Sequence, residues 1–330
     1  MHNQPANFGI AAHSFPCGCG FLRTVRQPGI ERPLDAWGLI ELATAHGLYS
    51  VELPLVGMLP AMSAATIERL RAATQATGLE LIVDTGVVTL DDLPALLPLA
   101  AQAGARIVRA TVSSFLEGAR GELSSWQAHL AATTRRLGEL RPLLAEYDLT
   151  LALENHQDTT ADDLLALCEA GGERVGVTFD VVNPLAVGEE PFAFARRLGP
   201  WIRNVHLKDY TVFPTASGYR LVRCALGEGV IDWSAMRALL HEVAPAAPQQ
   251  IELAALYGRH IRLFEDDWWR GFPPRDARDL APALRLLAGH AQPAATPWQT
   301  PWEREATAAE VAAYELNQFE ASVRHLRALG

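Results

Sequence analysis

The feature that most constrains this chain is a rhythm. Eight short aliphatic and β-branched runs, Asn7–Ser14, Tyr49–Leu55, Glu80–Thr85, Arg106–Val112, Leu149–Asn155, Val175–Val181, Ile202–Lys208 and Gln250–Ala255, recur along it. Between them lie longer amphipathic stretches, among them Leu34–Ala45, Ala64–Thr77, Leu90–Ala103, Ser125–Glu146, Ala161–Glu169 and Trp233–His241. Alternation of this kind predicts βα units on a parallel sheet. Gly47, Gly78 and Gly104 each fall between a helical stretch and the next strand, where a residue that tolerates positive φ ends the helix. Strand bodies such as LTLAL and VGVTF are nearly continuous apolar runs, as expected where both faces are covered.

Eight such units close more naturally into a barrel than into an open sheet. The expected fold class is therefore α/β, a single (β/α)8 TIM barrel spanning residues 1–330. The stretch Val311–Leu329 places Leu316, Phe319, Val323 and Leu326 on one stripe and would be the eighth helix. Between strand eight and this helix, Tyr257–Glu305 is far longer than an ordinary βα loop and reads as an insertion on the ligand-facing rim. It carries four of the eight tryptophans, Trp268, Trp269, Trp298 and Trp302, a short helix near Leu280–Leu287 and the proline-rich Pro293–Pro301. Such aromatics suit a pocket lid or a homo-oligomer contact, and the alternative is a self-packed elaboration.

Composition removes several function classes. Lys and Arg number 28 against 38 Asp and Glu, a net charge of −10, which repels nucleic-acid phosphates. The longest apolar runs, such as Leu93–Ala101, fall short of the ~20 residues that cross a bilayer. The opening MHNQPANFGI has no basic segment followed by an apolar one, so a cytoplasmic location is expected. Cys17, Cys19, Cys168 and Cys224 are too few and scattered for a disulfide framework or zinc ribbon.

The chemistry concentrates at strand ends. Strand five closes in LALENH, strand six in VTFDVVN, strand seven in NVHLKDY and strand eight in QIELAAL. Glu154, Asp180, His206 and Glu252 thus follow four consecutive apolar strand bodies, at the edge where α/β barrels carry catalytic groups. Unpaired charges so close to a core must be desolvated at a cost, and a shared cation removes the conflict. Three carboxylates and one imidazole suit one divalent cation, Mn²⁺ foremost, with Mg²⁺ or Co²⁺ as alternatives. Six-fold coordination would leave about two positions for substrate oxygens.

Other polar residues share that rim. Lys208 points to the same face as His206 and can stabilise an enolate or hold a carboxylate; the competing reading is an ion pair with Asp209 or another acid. His156 shares a face with Glu154, as a substrate contact or a support for the carboxylate. His13 and Glu52, near the ends of strands one and two, and Arg109 on strand four are placed to contact substrate, with local hydrogen bonds or ion pairs as the alternative. Arg259 and His260 open the insertion within reach of the pocket. Asp266-Asp267 lacks a histidine at ligand spacing, and Gly227-Glu228-Gly229 lacks the strand-to-helix context of a phosphate loop.

LALENH, FDVVN, VHLKD and IEL, with GEGVIDW at Gly227–Trp233 and the closing SVRHLRAL, resemble the xylose-isomerase-like TIM barrels. These include ketose 3-epimerases, hydroxypyruvate and inosose isomerases and dehydratases, and the sugar phosphate isomerase/epimerase group. The resemblance places the family's metal ligands on Glu154, Asp180, His206 and Glu252, with the two glutamates as acid/base groups on opposite sugar faces. It implies a metal-dependent isomerase or epimerase acting on a small sugar or sugar-acid ketone through an enediolate. The alternative is a decarboxylase of a 3-oxo sugar acid such as 3-oxo-isoapionate. The chain departs from the epimerase pattern at two substrate contacts: Asn183 stands where those enzymes carry His, and Val212 where they carry Arg. Asn183 remains a candidate substrate contact.

Two other classes fit less well. An abasic-site endonuclease on a related barrel needs a histidine-rich three-zinc cluster and a basic face, and the chain shows neither. A sugar-binding module would not need open metal positions flanked by two glutamates.

Overall fold

The structure, a computed structural model, describes residues 7–22 and 30–330; residues 1–6, the start of the stretch read for a leader, lie outside it. Eight parallel strands close a barrel: β1 (Gly9–Ala11), β2 (Ser50–Pro54), β3 (Glu80–Val87), β4 (Ile107–Thr111), β5 (Thr150–Glu154), β6 (Val175–Asp180), β7 (Ile202–Leu207) and β10 (Gln249–Ile251). β10 lies between β7 and β1, which completes the ring. The expected (β/α)8 class is the observed one.

Side-chain direction follows strand alternation, which decides what this barrel can do. Val175, Val177 and Phe179 of β6 join the apolar core beneath the helices, as do Leu151 and Leu153 of β5 and Val205 and Leu207 of β7. The alternate residues face inward, as contacts between strands that are not neighbours show. Ser50 meets Gln250 at 3.0 Å, and Asn204 meets Glu52 at 2.7 Å. The barrel interior is therefore largely polar. Apolar outward residues and small or polar inward ones together read as a continuous buried strand.

Helix ends obey local chemistry. Gly78 takes φ 70° at the end of helix Ala64–Thr77, and Gly47 and Gly104 also have positive φ. The closing helix runs Ala308–Ala328, three residues earlier than the apolar stripe alone indicated. A capping box explains the start: the Thr307 side chain accepts from Glu310 N–H while the Glu310 carboxylate accepts from Thr307 N–H. Helix Pro191–Leu198, between β6 and β7, was not among the segments read from periodicity. The last barrel strand is shorter than the apolar run, because Ala254 adopts φ 45° just beyond it.

Above the rim sits a sheet that the sequence reading did not anticipate. β8 (Asp209–Thr215) and β9 (Gly218–Cys224) form a hairpin, and β11 (Arg259–Ile261) adds antiparallel to β9. Gly218 is required at the turn, since a Cβ there would lie 2.0 Å from the Ile261 carbonyl oxygen. The Asp209 carboxylate anchors the hairpin's base. It accepts N–H bonds from Tyr210, Gly227, Val230 and Ile231, and the Trp233 indole N–H at 2.8 Å. This gives GEGVIDW a structural role. From the segment 257–305 come β11, a 3-10 turn (Asp266–Gly271) and helix Ala277–Gly289. Among the described residues, no helix is long and apolar enough to cross a membrane.

The closing helix is tied to the loop after β1 by Glu315, which accepts from Cys17 N–H and Gly18 N–H at 2.9 and 2.8 Å. Burial pushes its carboxyl up from 4.5 to about 7, against the lowering effect of the two N–H bonds. Between those values the folded chain keeps a proton that the unfolded chain releases, so this group makes stability fall as pH rises through that window and level off above it. Glu315→Gln is expected to flatten the stability difference between pH 5 and pH 8 by up to about 3 kcal/mol, measured by urea unfolding at both pH values.

Candidate active site

Barrel register brings four donors together. Asp180 pairs directly with His206 across β6 and β7, and Glu154 closes β5 one strand away. Glu252 follows β10 with its N–H on the Leu207 carbonyl at 3.1 Å. Glu154, Asp180, His206 and Glu252 each offer one ligand atom, and these atoms lie within 4.8 Å of one another. All four side chains are buried.

The donor chemistry fits a divalent cation. Asp180 Oδ1 has no hydrogen-bond partner despite complete burial, and Glu154 Oε1 and His206 Nδ1, 3.6 Å apart, face only each other. Glu252 Oε2 meets only the Lys208 ammonium and, at 3.9 Å, His206 Nδ1. Buried polar atoms are nearly always satisfied, so one unsatisfied atom from each of three converging side chains marks a position for a ligand. A set of three carboxylate oxygens and an imidazole nitrogen matches a hard to borderline cation.

Neighbouring groups set the charge and orientation of the quartet. His206 Nε2 faces Glu52 Oε1 at 2.8 Å, so the carboxylate fixes the Nε2–H tautomer and turns Nδ1 toward the cup. Burial alone would lower the His206 pKa, but the charges of Glu52 and Glu154 outweigh it and raise it well above the ordinary value. Burial opposes ionisation of Glu154 too, but Arg109, in ion-pair contact with it, and His206 hold it well below the carboxylate range. Arg109 also pairs with Asp84 at 2.6 Å, and Asp84 with His13 at 2.7 Å. Glu252 drops to about 2, because Lys208 and then His206 overcome its burial. Asp180 instead rises to about 7 through burial, despite Lys208 beside it.

The structure sorts the rim candidates. Lys208 bridges Asp180 and Glu252, not Asp209, whose carboxylate is spent on the GEG loop. A cavity of about 760 Å³ opens above the cup, and His13, Arg109, His156, Lys208 and Glu252 border it. His156 presents an unpartnered Nδ1, and burial lowers its pKa to about 4, so it is neutral. Glu52 and Asn183 do not reach this cavity. Glu52, 1% exposed, points across the barrel to His206 and Asn204. Asn183 donates to Asp180 Oδ2 at 2.7 Å and accepts from Tyr210 at 2.9 Å, so it orients the aspartate. Both were expected at the substrate, and the structure places them against His206 and Asp180.

The rim segment gives a mixed outcome. Arg259 borders the cavity, whereas His260 is spent on Thr215 and Ser217 within the antiparallel sheet. The four tryptophans do not cap the cavity. Trp268 stacks on Phe272 and donates to the Glu117 carbonyl, Trp269 donates to the Leu263 carbonyl, Trp298 lies under Arg220 and Trp302 packs beside Cys17 and Val311. The sequence reading missed Asp84, Asn155, Tyr210 and Arg223. Asp84 had a visible signal, a carboxylate ending strand three in LIVDTG. Asn155 bonds both Asp180 N–H and its carbonyl, a contact set by cross-strand register and invisible in linear sequence.

A closed (β/α)8 barrel with its polar cup at the C-terminal ends of the strands is the architecture of TIM-barrel proteins that handle small molecules there. Within that class the chain belongs to the xylose isomerase-like TIM barrel family, whose model matches residues 40–254. A 3-oxo-isoapionate decarboxylase from Pectobacterium atrosepticum is 24% identical over 213 residues, 63% of this chain and 73% of that protein. Two solved structures share the fold. D-psicose 3-epimerase with D-tagatose from Clostridium cellulolyticum H10 has a TM-score of 0.56 at 14% identity, covering 94% of this chain and 99% of the other. The IolI protein with a bound zinc atom has a TM-score of 0.55 at 14% identity, covering 96% and 97%.

Because Glu52 fixes the His206 ring, Glu52→Gln is expected to weaken the cup's affinity for a divalent cation by about 10–100-fold while leaving the barrel folded. Calorimetric titration with Mn²⁺, alongside circular dichroism, checks this.

Proposed function

We propose that this protein is a divalent-metal-dependent enzyme that forms an enediolate or enolate on a small sugar or sugar-acid ketone. The observation that carries the reading is the convergence of Glu154, Asp180 and His206 with Glu252, which together with Lys208 borders the cavity. Glu154, Asp180, His206 and Glu252 would hold the cation, Mn²⁺ or a close substitute. When bound, it supplies Lewis-acid stabilisation of the negative charge that develops on a carbonyl oxygen.

The chain's own groups supply the rest. Glu252, a carboxylate over the neutral range and open to the cavity, takes a proton from the carbon beside the carbonyl. The Lys208 ammonium, anchored by two carboxylates, presents positive charge to the developing oxyanion. His156, neutral at the cavity wall, offers a hydrogen bond to a substrate hydroxyl. The apolar wall, including Leu55, Met62 and Leu96, excludes water from the sugar's far side. Return of the proton to the opposite face or to the neighbouring carbon gives epimerisation or isomerisation, with Glu154 as the second acid/base group.

A specific observation favours decarboxylation as a second reading. Glu252 borders the cavity, whereas Glu154 lies fully buried against Arg109 and outside the cavity wall. One exposed carboxylate is enough when the C–C bond to a carboxylate breaks, its electron pair forms the enolate, CO₂ leaves and one proton, relayed from water by Glu252, adds to the carbon. The 3-oxo-isoapionate decarboxylase relative is consistent with that reading.

Incubation with ketoses and 3-oxo sugar acids in deuterated water, followed by NMR and CO₂ detection, separates the outcomes. Deuterium at one carbon without CO₂ supports isomerisation or epimerisation, and CO₂ release supports the lyase. Activity that is unchanged after metal removal by chelation would refute both. Glu252→Gln is expected to lower kcat by about 10²–10⁴ in either case.

A further inference from the structure

Four arginines are buried among the described residues: Arg109, Arg120, Arg223 and Arg259. Arg109 pairs with Asp84 and Glu154, and Arg120 pairs with Asp163. Arg223 and Arg259, 4% and 7% exposed, make no ion pair among the described residues, and the Nε–H of each has no acceptor. Both border the cavity above the cup.

Their placement follows from the rim sheet. Arg259 stands opposite Leu221 in the antiparallel β9–β11 pair, and Arg223 lies two residues beyond Leu221. Strand alternation therefore puts the two guanidiniums on the same face as diagonal neighbours. Tyr257 spaces them: Arg259 donates to its hydroxyl at 2.5 Å and Arg223 to its carbonyl at 3.3 Å. Burial and the charge of Arg223 both depress the Arg259 pKa, so each arginine raises the cost of the other. Two like charges held this way, with donors unspent, lack the carboxylate that every other cation of the cup possesses.

We infer that Arg223 and Arg259 form a subsite for an anionic group of the substrate, a carboxylate or phosphate carried by the sugar at the end remote from the reacting carbonyl. This rests on the reading of the cavity as the substrate site and narrows its substrate class to sugar acids or sugar phosphates. The planar forks supply paired N–H donors suited to either group. A neutral ketose would leave both charges buried and uncompensated. The subsite comes from β9 and β11, outside the barrel strands.

The test is calorimetric titration with D-gluconate, D-fructose 6-phosphate and neutral D-fructose. The proteins are the wild type, Arg223→Gln, Arg259→Gln and the double variant, each Mn²⁺-supplemented and EDTA-treated. At least one anion is expected to bind the wild type about tenfold or more tighter than D-fructose, and the double variant to lose that preference while its affinity for D-fructose changes little. Preference for gluconate or for the phosphate tells the two anions apart. The EDTA arm separates arginine contacts from chelation by gluconate. The proposal is overturned if D-fructose binds the wild type as tightly as both anions, a result that needs no variant to fold. It is also overturned if the folded double variant keeps the preference. Failure of the wild type to bind Mn²⁺ would instead refute the metal reading, while the anion comparison in EDTA-treated protein stands on its own.

Discussion

Charge compensation inside a closed barrel governs this molecule. Glu52, Asp84, Glu154, Asp180 and Glu252 all face a space from which water is largely excluded, and such a concentration of carboxylates is tolerable only with counter-charges at contact distance. Arg109 and Lys208 provide them, each touching two acids, and the His206 imidazole adds a hydrogen-bond contact with Glu52. The arrangement is directional. Arg109 pulls Glu154 one way, Lys208 ties Asp180 to Glu252 on the other side, and Glu52 orients His206 from below. What remains unsatisfied after this pairing is a small set of atoms aimed at one point.

The cup was legible in the sequence because parity and position suffice to find it. In a parallel barrel, a polar residue ending an apolar strand lands at the C-terminal rim, and four consecutive strands ended that way. The residues that support the cup were not legible in the same manner. Glu52 occupies a rim position by strand order and Asn183 one implied by the family resemblance, yet the structure turns them onto His206 and Asp180. Which of two inward-facing polar residues meets the cavity depends on how far along its strand it lies, and strand ends are uncertain by more than that distance.

The fold was legible for a related reason, with one instructive gap. Outward-facing Val, Leu and Phe at every second position, interleaved with small or polar inward residues, mark eight strands, six of them close to their observed limits, while Asn7–Ser14 and Gln250–Ala255 shorten to Gly9–Ala11 and Gln249–Ile251. The antiparallel sheet on the rim went unread although Tyr210 through Cys224 carries β-branched and aromatic residues around an Ala-Ser-Gly turn. An eight-unit count was already complete without it, and its third strand comes from a segment more than thirty residues away. The tryptophans were misplaced because aromatic content alone does not say whether a ring faces a ligand or another ring.

The rim sheet joins two separate βα connections, the one after β7 and the one after β10, and places an arginine from each at the same opening. The sheet touches the cup's support through Tyr210 of β8, whose hydroxyl donates to Asn183, the amide that holds Asp180. A change confined to β9 and β11 would therefore alter what is admitted while Tyr210 keeps the reactive floor in place.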